Sequence, residues 1–397
     1  MSEEKLIYLD NAATTRIHPQ VLEAMLPYFQ EYYGNPSSIY DFGNQVKGAL
    51  EEARKSVAGA LGADPKEIYF TSGATEADNW AVFGAARKMA AKGKHIITST
   101  IEHHAVLHPF EMLEKEGFEV TYVPVDEEGI LDLAALKNAV REDTTFISVM
   151  AVNNEIGTIQ PIREIVDFVK GKGILVHTDA VQLIGKQPVN VKEMGVDLLS
   201  LSAHKIHGPK GVGALYIRKG VLIDSLFHGG GQERKKRPGT ENVAGIVGLA
   251  KALEVTLSDH QEKEARIMRL REHLIDEVMA KVPHVRLNGS REKRIAGNAN
   301  FSFRFIEGES LLLALDMYGI CASSGSACTS GSLDPSHVLL GIGLPHEIAH
   351  GSLRISISEY TTQEEIDELI RVLPGIMERL REMSPLYEDY IRSEGAR

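Results

Sequence analysis

The sequence predicts an α/β fold with a mostly parallel sheet, followed by a smaller α+β region. Strand-like apolar runs alternate with helical patterns over roughly the first 240 residues, which is typical of a parallel sheet with helices on both faces. The run 145–152 is apolar almost throughout, as a central buried strand requires. Beyond about residue 240, two long helical patterns and shorter strands indicate the second region.

Seven runs are predicted to form the main sheet: 68–71, 95–99, 119–125, 145–152, 173–177, 196–201 and 212–217. The last two are joined by a short connection without a helix, so we expect them to be antiparallel. The helices of this region are predicted at 18–33, 43–61, 77–92, 107–115, 133–140 and 162–170. We assign 15–260 to a large domain that carries this sheet.

A small α+β domain is assigned to residues 1–14 and 261–397. Its predicted helices are 261–282, 309–318 and one that opens at Thr362, and a further helix, 243–257, precedes them; the strands are 285–287, 300–305 and 353–358. Thr362 and Glu365 form a capping box, and Pro374 is expected to kink that last helix.

Composition excludes several classes of protein. The formal charge of −12 and the lack of a basic tract argue against nucleic acid as a partner. No run approaches about 18 consecutive apolar residues, so we expect no membrane-spanning helix, and the first ten residues lack a signal-peptide core, which predicts a cytoplasmic protein. Cys321 and Cys328 are too few for a cysteine-based zinc site, and the 15 histidines show no tight ligand spacing, so no metal is expected.

Ligands of α/β sheets bind beyond the carboxyl ends of the strands. After the run 68–71, Gly73 and Thr75 stand at a predicted helix start, where backbone N–H groups can bind an anion. An ordinary helix cap explains these residues equally well. His103 follows the next run and could be a general acid or base, or a structural histidine. Asn154 follows the central strand and suits either a ligand or a plain loop.

Two further strand ends carry charged groups. Asp179, with Gln182 behind it, would be a carboxylate at the base of a crevice that needs a cationic partner, either a cofactor nitrogen or an arginine. Lys205 lies in Ser202-Ala-His-Lys205 and is either a solvated turn lysine or an amine that forms a Schiff base. Together, these strand ends match the requirements of pyridoxal 5′-phosphate: a lysine, an acid for the ring nitrogen and a phosphate site.

The motifs as a set resemble those of the cysteine desulfurases. They span the chain from Tyr8 to Ser356 and are Gly34-Asn-Pro-Ser-Ser38, Thr71-Ser-Gly-Ala-Thr-Glu76, Glu102-His-His104, Asn153-Asn-Glu155, His177-Thr-Asp-Ala180, Ser202-Ala-His-Lys205, Arg237-Pro-Gly-Thr240 and Ser323-Ser-Gly-Ser-Ala-Cys328. This NifS-like and IscS-like group belongs to the class V aminotransferases, which have the aspartate aminotransferase-like fold (fold type I). Tyr40 stands where many relatives have a histidine.

The resemblance implies a role for each matching position. Lys205 binds the cofactor, Asp179 pairs with its ring nitrogen, and His103 stacks on the ring and transfers protons. The whole cofactor set is Ala74, Thr75, His103, Asn154, Asp179, Gln182, Ser202, His204, Lys205 and Thr240, the last reaching across a homodimer. Asn35, Asn154 and Arg354 are implied to bind the substrate.

Cys328 is implied to be the nucleophile. The hypothesis is that L-cysteine replaces Lys205 on the cofactor, Lys205 moves the Cα proton, and the Cys328 thiolate takes the sulfur as a persulfide while L-alanine leaves. The stretch 322–335 is rich in Ser and Gly, so we expect it to be mobile and able to deliver sulfur. Cys321, in an apolar context, is expected in the core.

Two alternatives stay open at this point. One is a selenocysteine lyase, or another lyase or aminotransferase of the same fold, although the cysteine segment disfavours it. The other is a sulfur-relay or scaffold protein without catalysis, which the presence of Lys205, Asp179 and His103 disfavours. An iron–sulfur scaffold is the favoured sulfur acceptor, followed by tRNA thiolation, and no direct contact with nucleic acid or membrane is expected.

Overall fold

A computed structural model describes residues 6–324 and 335–395. Its strands are β1 (Ile7–Tyr8), β2 (Ile68–Thr71), β3 (His95–Ser99), β4 (Glu119–Val123), β5 (Thr144–Ser148), β6 (Leu175–Asp179), β7 (Leu198–Ser202), β8 (Gly213–Ile217), β9 (Val285–Leu287), β10 (Asn298–Phe303), β11 (Ile320–Cys321) and β12 (Ser352–Ser356).

Helices cover both faces of the main sheet and build the second region. They are α1 (Pro19–Met25), α2 (Pro27–Gln30), α3 (Asp41–Leu61), α4 (Ala74–Met89), α5 (His104–Lys115), α6 (Leu133–Ala139), α7 (Ile162–Val169), α8 (Val191–Met194), α9 (Gln232–Lys235), α10 (Val243–Leu257), α11 (His260–Lys281), α12 (Gly308–Asp316), α13 (His337–Gly341), α14 (His346–Ala349), α15 (Gln363–Glu382) and α16 (Pro385–Gly395). None of those helices has the length and apolar character of a membrane span.

The main sheet has seven strands in the order β2-β8-β7-β6-β5-β3-β4. All neighbours are parallel except β8, which is antiparallel to both β7 and β2. The predicted mostly parallel sheet and its antiparallel pair are therefore confirmed. Successive residues of one strand enter different cores, because side chains alternate across a strand. Ile96 belongs to the core that contains α4 and α5, and Ile97 belongs to the core on the other face, to which α3, α6, α7 and α10 contribute.

The second region has its own core. β10 lies between β9 and β12 in an antiparallel sheet, and β1 pairs in parallel with β11. Ile7 and Leu9 pack into the core that is otherwise built by residues 270–377. This packing agrees with an N-terminal segment that belongs to the small domain, and the domain boundaries at residues 14 and 260 stay predictions.

Two details differ from the expectations, and the kink expected at Pro374 stays a prediction. The helix predicted at 18–33 is wrong as one element, because α1 ends at Met25 and Pro27 starts α2; proline has no N–H and clashes with the preceding turn. β5 ends at Ser148, so the apolar run continues past the sheet towards Asn154. The last helix, α15, keeps its predicted capping box and runs as one element through Pro374.

A strained turn covers one edge of the main sheet. In α9, Glu233, Arg234 and Lys235 all have positive φ, between 43° and 64°, which costs non-glycine residues free energy. The Glu233 carboxylate makes a bidentate ion pair with Arg54 (2.7 and 2.8 Å) and accepts the Phe70 N–H (2.9 Å) of the edge strand β2. These buried contacts hold the turn in place.

Candidate functional site

One cavity of about 540 Å³ lies beyond the carboxyl ends of β3, β5, β6 and β7. The structure brings most of the predicted site residues together in its wall, although they come from distant parts of the chain. The ones that line the cavity are Ala74, Thr75, His103, Asn154, Asp179, Gln182, Ser202, His204, Lys205 and Arg354.

Lys205 closes a 3₁₀ turn directly after β7 and is not a solvated turn lysine. Its Nζ donates hydrogen bonds to the backbone carbonyls of Ala12 (2.6 Å) and Ala13 (2.7 Å). The loop after β1 is in turn fastened to the lysine's own segment, because Thr15 donates through both N and Oγ1 to the His204 carbonyl. The amine is thus held at a defined place in the cavity wall.

The start of α4 forms an anion cradle. Gly73 precedes the helix with φ of 154°, and the first N–H groups of a helix have no intrahelical acceptor. A Cβ on Gly213 would lie 2.8 Å from the Gly73 carbonyl carbon and 2.5 Å from the Leu201 oxygen, so only glycine lets these main chains approach. The geometry suits a phosphate at Ala74 and Thr75.

An arginine offsets the acidic residue beside this cradle. Arg237 donates two hydrogen bonds to Glu76 (2.7 and 3.0 Å), and Glu76 also accepts the Ser72 N–H. Burial raises the pKa of Glu76, but the bonds from Arg237 and Ser72 outweigh it and hold that pKa below its usual range. The carboxylate is therefore neutralised locally and does not repel an anion in the cradle.

Three buried carboxyl groups lie at the cavity or beside it: Asp78 and Asp179 line it, and Glu102 directly precedes the lining residue His103. Asp179 is 6% exposed and accepts the Val181 N–H (2.9 Å); burial raises its pKa to about 6, although that N–H and Lys205 act in the opposite direction. Burial and the charge of Asp179 raise the pKa of Asp78, and burial raises that of Glu102 to about 8. A cation bound in the cavity would lower these pKa values, because a nearby positive charge stabilises the ionised form of a carboxyl group.

Asp78 was missed by the sequence reasoning. It is 1% exposed, and neither carboxyl oxygen has a hydrogen-bond partner within residues 6–324 and 335–395. His177 Nε2 lies 3.6 Å from its Oδ1. The sequence could have indicated this residue, because Asp78 is a charged residue on the otherwise apolar face of α4, one turn after Ala74.

His103 caps α5 with its own ring. Its Nδ1 accepts the Ala105 N–H at 3.1 Å, so the neutral ring carries its proton on Nε2. Burial, followed by the charge of Lys205 and neighbouring histidines, lowers the pKa of His103 to about 4. At neutral pH the side chain is therefore an uncharged N–H donor.

Arg354 lies in β12 and is 3% exposed. Its guanidinium forms an ion pair with Asp10 (2.9 Å) and donates to the Asn154 carbonyl (3.1 Å). Its Nε has no hydrogen-bond partner in the part of the chain that the structure describes. A buried guanidinium with a spare donor is well suited to a carboxylate ligand.

The predicted nucleophile, Cys328, lies outside the described residues. Both flanks of that segment bond to residues that line the cavity or directly precede or follow a lining residue. Before it, Ser323 and Arg354 exchange backbone hydrogen bonds (2.6 and 3.2 Å). After it, the Ser336 hydroxyl bonds to the Glu155 carboxyl, whose pKa burial raises to about 7, and His337 Nε2 lies 2.9 Å from the Glu102 carbonyl.

Two of the predicted site residues lie outside the cavity. Asn35 and Thr240 are exposed and do not line the cavity. Among the described side chains, no group of three or more His, Cys, Asp or Glu residues is arranged to hold a metal ion. Cys321, expected in the core, is partly exposed at β11.

Comparison with known proteins shows the family of this chain. The family model "Aminotransferase class-V" matches residues 7–369. A cysteine desulfurase IscS of Clostridium botulinum is 56% identical over 392 residues, 98% of this chain and 99% of that relative. The chain belongs to the cysteine desulfurases of the class V aminotransferase family.

Solved structures of this family have the same fold. A NifS-like protein is similar with a TM-score of 0.89 and 42% identity, covering 95% of this chain and 100% of that one. A structure described as SspA in complex with cysteine has a TM-score of 0.80 and 36% identity, covering 89% and 99%. The predicted fold class, the enzyme class and the cofactor, pyridoxal 5′-phosphate, are thereby confirmed.

The residues of the cavity fit that cofactor. The cradle at Gly73 can accept the phosphate, and the buried acid at Asp179 can pair with a protonated ring nitrogen. The amine of Lys205 can react with the aldehyde carbon, and Gln182, which lines the same cavity, can form a hydrogen bond with the ring hydroxyl. Each functional group of the cofactor therefore has a protein partner of suitable chemistry.

Proposed function

We propose that this desulfurase converts L-cysteine to L-alanine and retains the sulfur as a persulfide on Cys328. The observation that carries the proposal is the convergence of Lys205, Asp179, His103 and Arg354 on one cavity, with both flanks of the Cys328 segment bonded to residues of its wall or next to them. In the overall reaction, L-cysteine and the Cys328 thiol give L-alanine and Cys328–S–SH, so atoms and electrons balance.

When bound, pyridoxal phosphate supplies an electron sink for the substrate's Cα and the bonds next to it. The residues that hold it are proposed to be Lys205, Asp179, Gln182, Ser202, His204 and the α4 start at Ala74 and Thr75. Asp179 keeps a positive charge on the ring nitrogen. Burial raises the pKa of Glu102 to about 8 but that of Asp179 only to about 6, so Asp179 is the one of these two carboxyl groups that is charged at neutral pH.

Lys205 is proposed to move the substrate proton. Its amine is placed by the carbonyls of Ala12 and Ala13, and those carbonyls remain as acceptors when the amine carries an extra proton. An amine that is held at a fixed point and alternates between its two protonation states can take a proton from Cα and return it to another carbon.

Arg354 is proposed to bind the substrate carboxylate, together with Asn35 and Asn154. The Asp10 ion pair and the Asn154 carbonyl keep the guanidinium oriented in the absence of substrate. The Arg354 side chain therefore loses little conformational entropy when the substrate carboxylate binds. Asn35 lies on the exposed loop after α2 in the single chain.

His103 is proposed to assist at the sulfur. The neutral ring offers Nε2–H, which can stabilise negative charge on sulfur in its vicinity. Its bond to Ala105 fixes the ring at the start of α5. The Cys328 thiolate attacks the substrate sulfur, and the electron pair of the broken C–S bond stays on the substrate carbon, which is later protonated to give alanine.

A direct experiment tests this function. Purified protein is incubated with L-cysteine, alanine, sulfide and any keto acid are quantified, and mass spectrometry maps the persulfide. We expect alanine without a keto acid and the extra sulfur on Cys328. A Cys328→Ser variant that still releases sulfur at the normal rate would refute the persulfide, and release of keto acid would indicate a transaminase instead.

We also propose a cytoplasmic homodimer that hands its sulfur to an iron–sulfur scaffold or another acceptor protein. Large apolar side chains are exposed at Leu22, Phe29 and Tyr33, in and just after the consecutive helices α1 and α2, which suits a surface covered by a second subunit. Thr240 is exposed and could reach the second subunit's cofactor. Sedimentation equilibrium should give twice the chain mass of 43.6 kDa, and a monomer would contradict the proposal.

A further inference from the structure

A second lysine lies close to Lys205 and has no part in the mechanism above. Lys186 donates a hydrogen bond from Nζ to Oε1 of Gln182. Gln182 is 4% exposed and lines the cofactor cavity, whereas Lys186 lines a different cavity of about 80 Å³ behind Lys205. The Lys186–Gln182 bond thus connects the two cavities.

The backbone between these residues is built to bring them together. Gly185 has φ of +74°, and a Cβ there would lie 2.6 Å from Ile206 Cγ2 and 2.8 Å from Thr256 Cγ2. The Lys186 N–H closes the turn on the Leu183 carbonyl at 3.0 Å. Only glycine allows this conformation, which places the lysine amine over the glutamine side chain.

The chemistry of the pair decides which way the amide of Gln182 points. A lysine ammonium has three donors and no acceptor, whereas an amide has one acceptor oxygen and one donor nitrogen. Oε1 must therefore face Lys186, and Nε2 must face the opposite side. There it donates to the Ala12 carbonyl at 3.1 Å, the same carbonyl that accepts from Lys205.

We propose that Lys186 is a positioning residue that fixes the side-chain amide of Gln182 as a hydrogen-bond donor towards the cofactor's ring hydroxyl. A deprotonated ring hydroxyl accepts hydrogen bonds, so the flipped amide would present an oxygen and repel it. The inference rests on the proposed contact of Gln182 with the cofactor. Lys186 itself touches neither cofactor nor substrate.

The surroundings of Lys186 make its effect on the Gln182 amide depend on pH. Burial lowers its pKa to about 7, and the positive charges of Lys205 and Arg354 act in the same direction. The other ionisable groups that line its cavity are His207, His260, Lys263, Glu264 and Glu359. Below about pH 7 the Lys186 ammonium can only donate hydrogen bonds, so the Gln182 amide has one orientation. Above that pH the neutral Lys186 amine can also accept a hydrogen bond, so the orientation of the amide is less strictly fixed.

The test compares four single variants of the full-length protein and one double variant. Lys186→Met removes the donor, Lys186→Arg keeps one, Gln182→Leu removes the amide, and Lys192→Met changes an exposed lysine as the control. Apoprotein of each is titrated with pyridoxal phosphate at pH 6, and the dissociation constant and the visible absorption band are recorded. Thermal unfolding of the apoproteins shows whether each variant is folded.

Lys186→Met is expected to weaken cofactor binding about tenfold and to shift the visible band. Lys186→Arg should bind within about twofold of the unmodified protein, as should the control. Combining Lys186→Met with Gln182→Leu should add nothing to Gln182→Leu alone, because both act through one amide.

Three results would overturn the proposal: an unchanged band and affinity in Lys186→Met, strictly additive effects in the double variant, or loss of affinity in Lys186→Arg equal to that in Lys186→Met. The last would mean that the lysine has a merely structural role. A failure of the underlying assignment looks different, because Gln182→Leu itself would then leave the band and the affinity unchanged.

Discussion

Replacing Glu102 with glutamine should stabilise the protein at neutral pH. The carboxyl group is fully buried, accepts the Met150 N–H at 2.9 and 3.1 Å and contacts the Ser99 hydroxyl. Burial raises its pKa from 4.5 to about 8. Glutamine has the same shape and can accept a hydrogen bond from Met150 and donate one to Ser99. It does not ionise, so its burial requires no uptake of a proton on folding.

The sign follows from proton linkage. A carboxyl whose pKa is raised on folding holds a proton that the unfolded chain releases above pH 4.5, so stability falls as the pH rises from about 4.5 to 8. At pH 7 the penalty is about 3 kcal/mol, and at pH 5 it is about 1 kcal/mol. Glu102→Gln removes this penalty, so its advantage should grow with pH.

Urea unfolding at pH 5 and pH 7 measures the effect. Glu111→Gln, an exposed change on α5, the helix that follows Glu102, is the matched control. A stability difference between Glu102→Gln and the unmodified protein that is the same at both pH values would refute the reasoning, because it would mean that Glu102 titrates alike in the folded and unfolded states.

Three further changes test the site and its support. Arg354→Lys should raise KM for L-cysteine about 10- to 100-fold, because a point charge replaces the guanidinium fork; steady-state kinetics measure this, and an unchanged KM would remove the carboxylate role. Gly213→Ala places a Cβ 2.5 Å from the Leu201 carbonyl, so apoprotein titrated with pyridoxal phosphate should bind it about tenfold more weakly; wild-type affinity would show that the cradle tolerates the methyl group. Glu233→Ala leaves Arg54 buried and unpaired, so urea unfolding should show a loss of about 3–5 kcal/mol; a loss below about 1 kcal/mol, as for an exposed pair, would contradict it.

Much of the main sheet could be predicted because its strands are apolar on both faces. Residues such as Ile96 and Ile97 enter different cores, so the run carries no polar alternation and is recognised as a buried strand. The antiparallel β7–β8 pair followed from the length of the connection alone. The break at Pro27 was missed because the apolar pattern continues across it, and hydrophobic periodicity does not report on a missing N–H.

The cavity residues could be predicted because the carboxyl ends of parallel strands meet at one edge of the sheet. His103, Asp179 and Lys205 were found in this way, and the motif resemblance added Arg354, which the strand ends alone did not indicate. The ion-pair partner of Arg354 could not be predicted in this way. Asp10 lies 344 residues from Arg354 in the sequence, and no local sequence pattern indicates such a pairing. Lys186 was also missed, since a lysine in a polar turn is usually solvated.

The turn at Glu233 also affects how the protein behaves towards other chains. β2 is an edge strand, and an uncovered edge offers N–H and carbonyl groups that recruit foreign strands and begin aggregation. Here Glu233 occupies the Phe70 N–H, while Arg54 and Arg234 occupy the Ile68 carbonyl. The charged side chains occupy backbone groups of β2 that a further strand would otherwise bond, so no additional strand can pair at this edge.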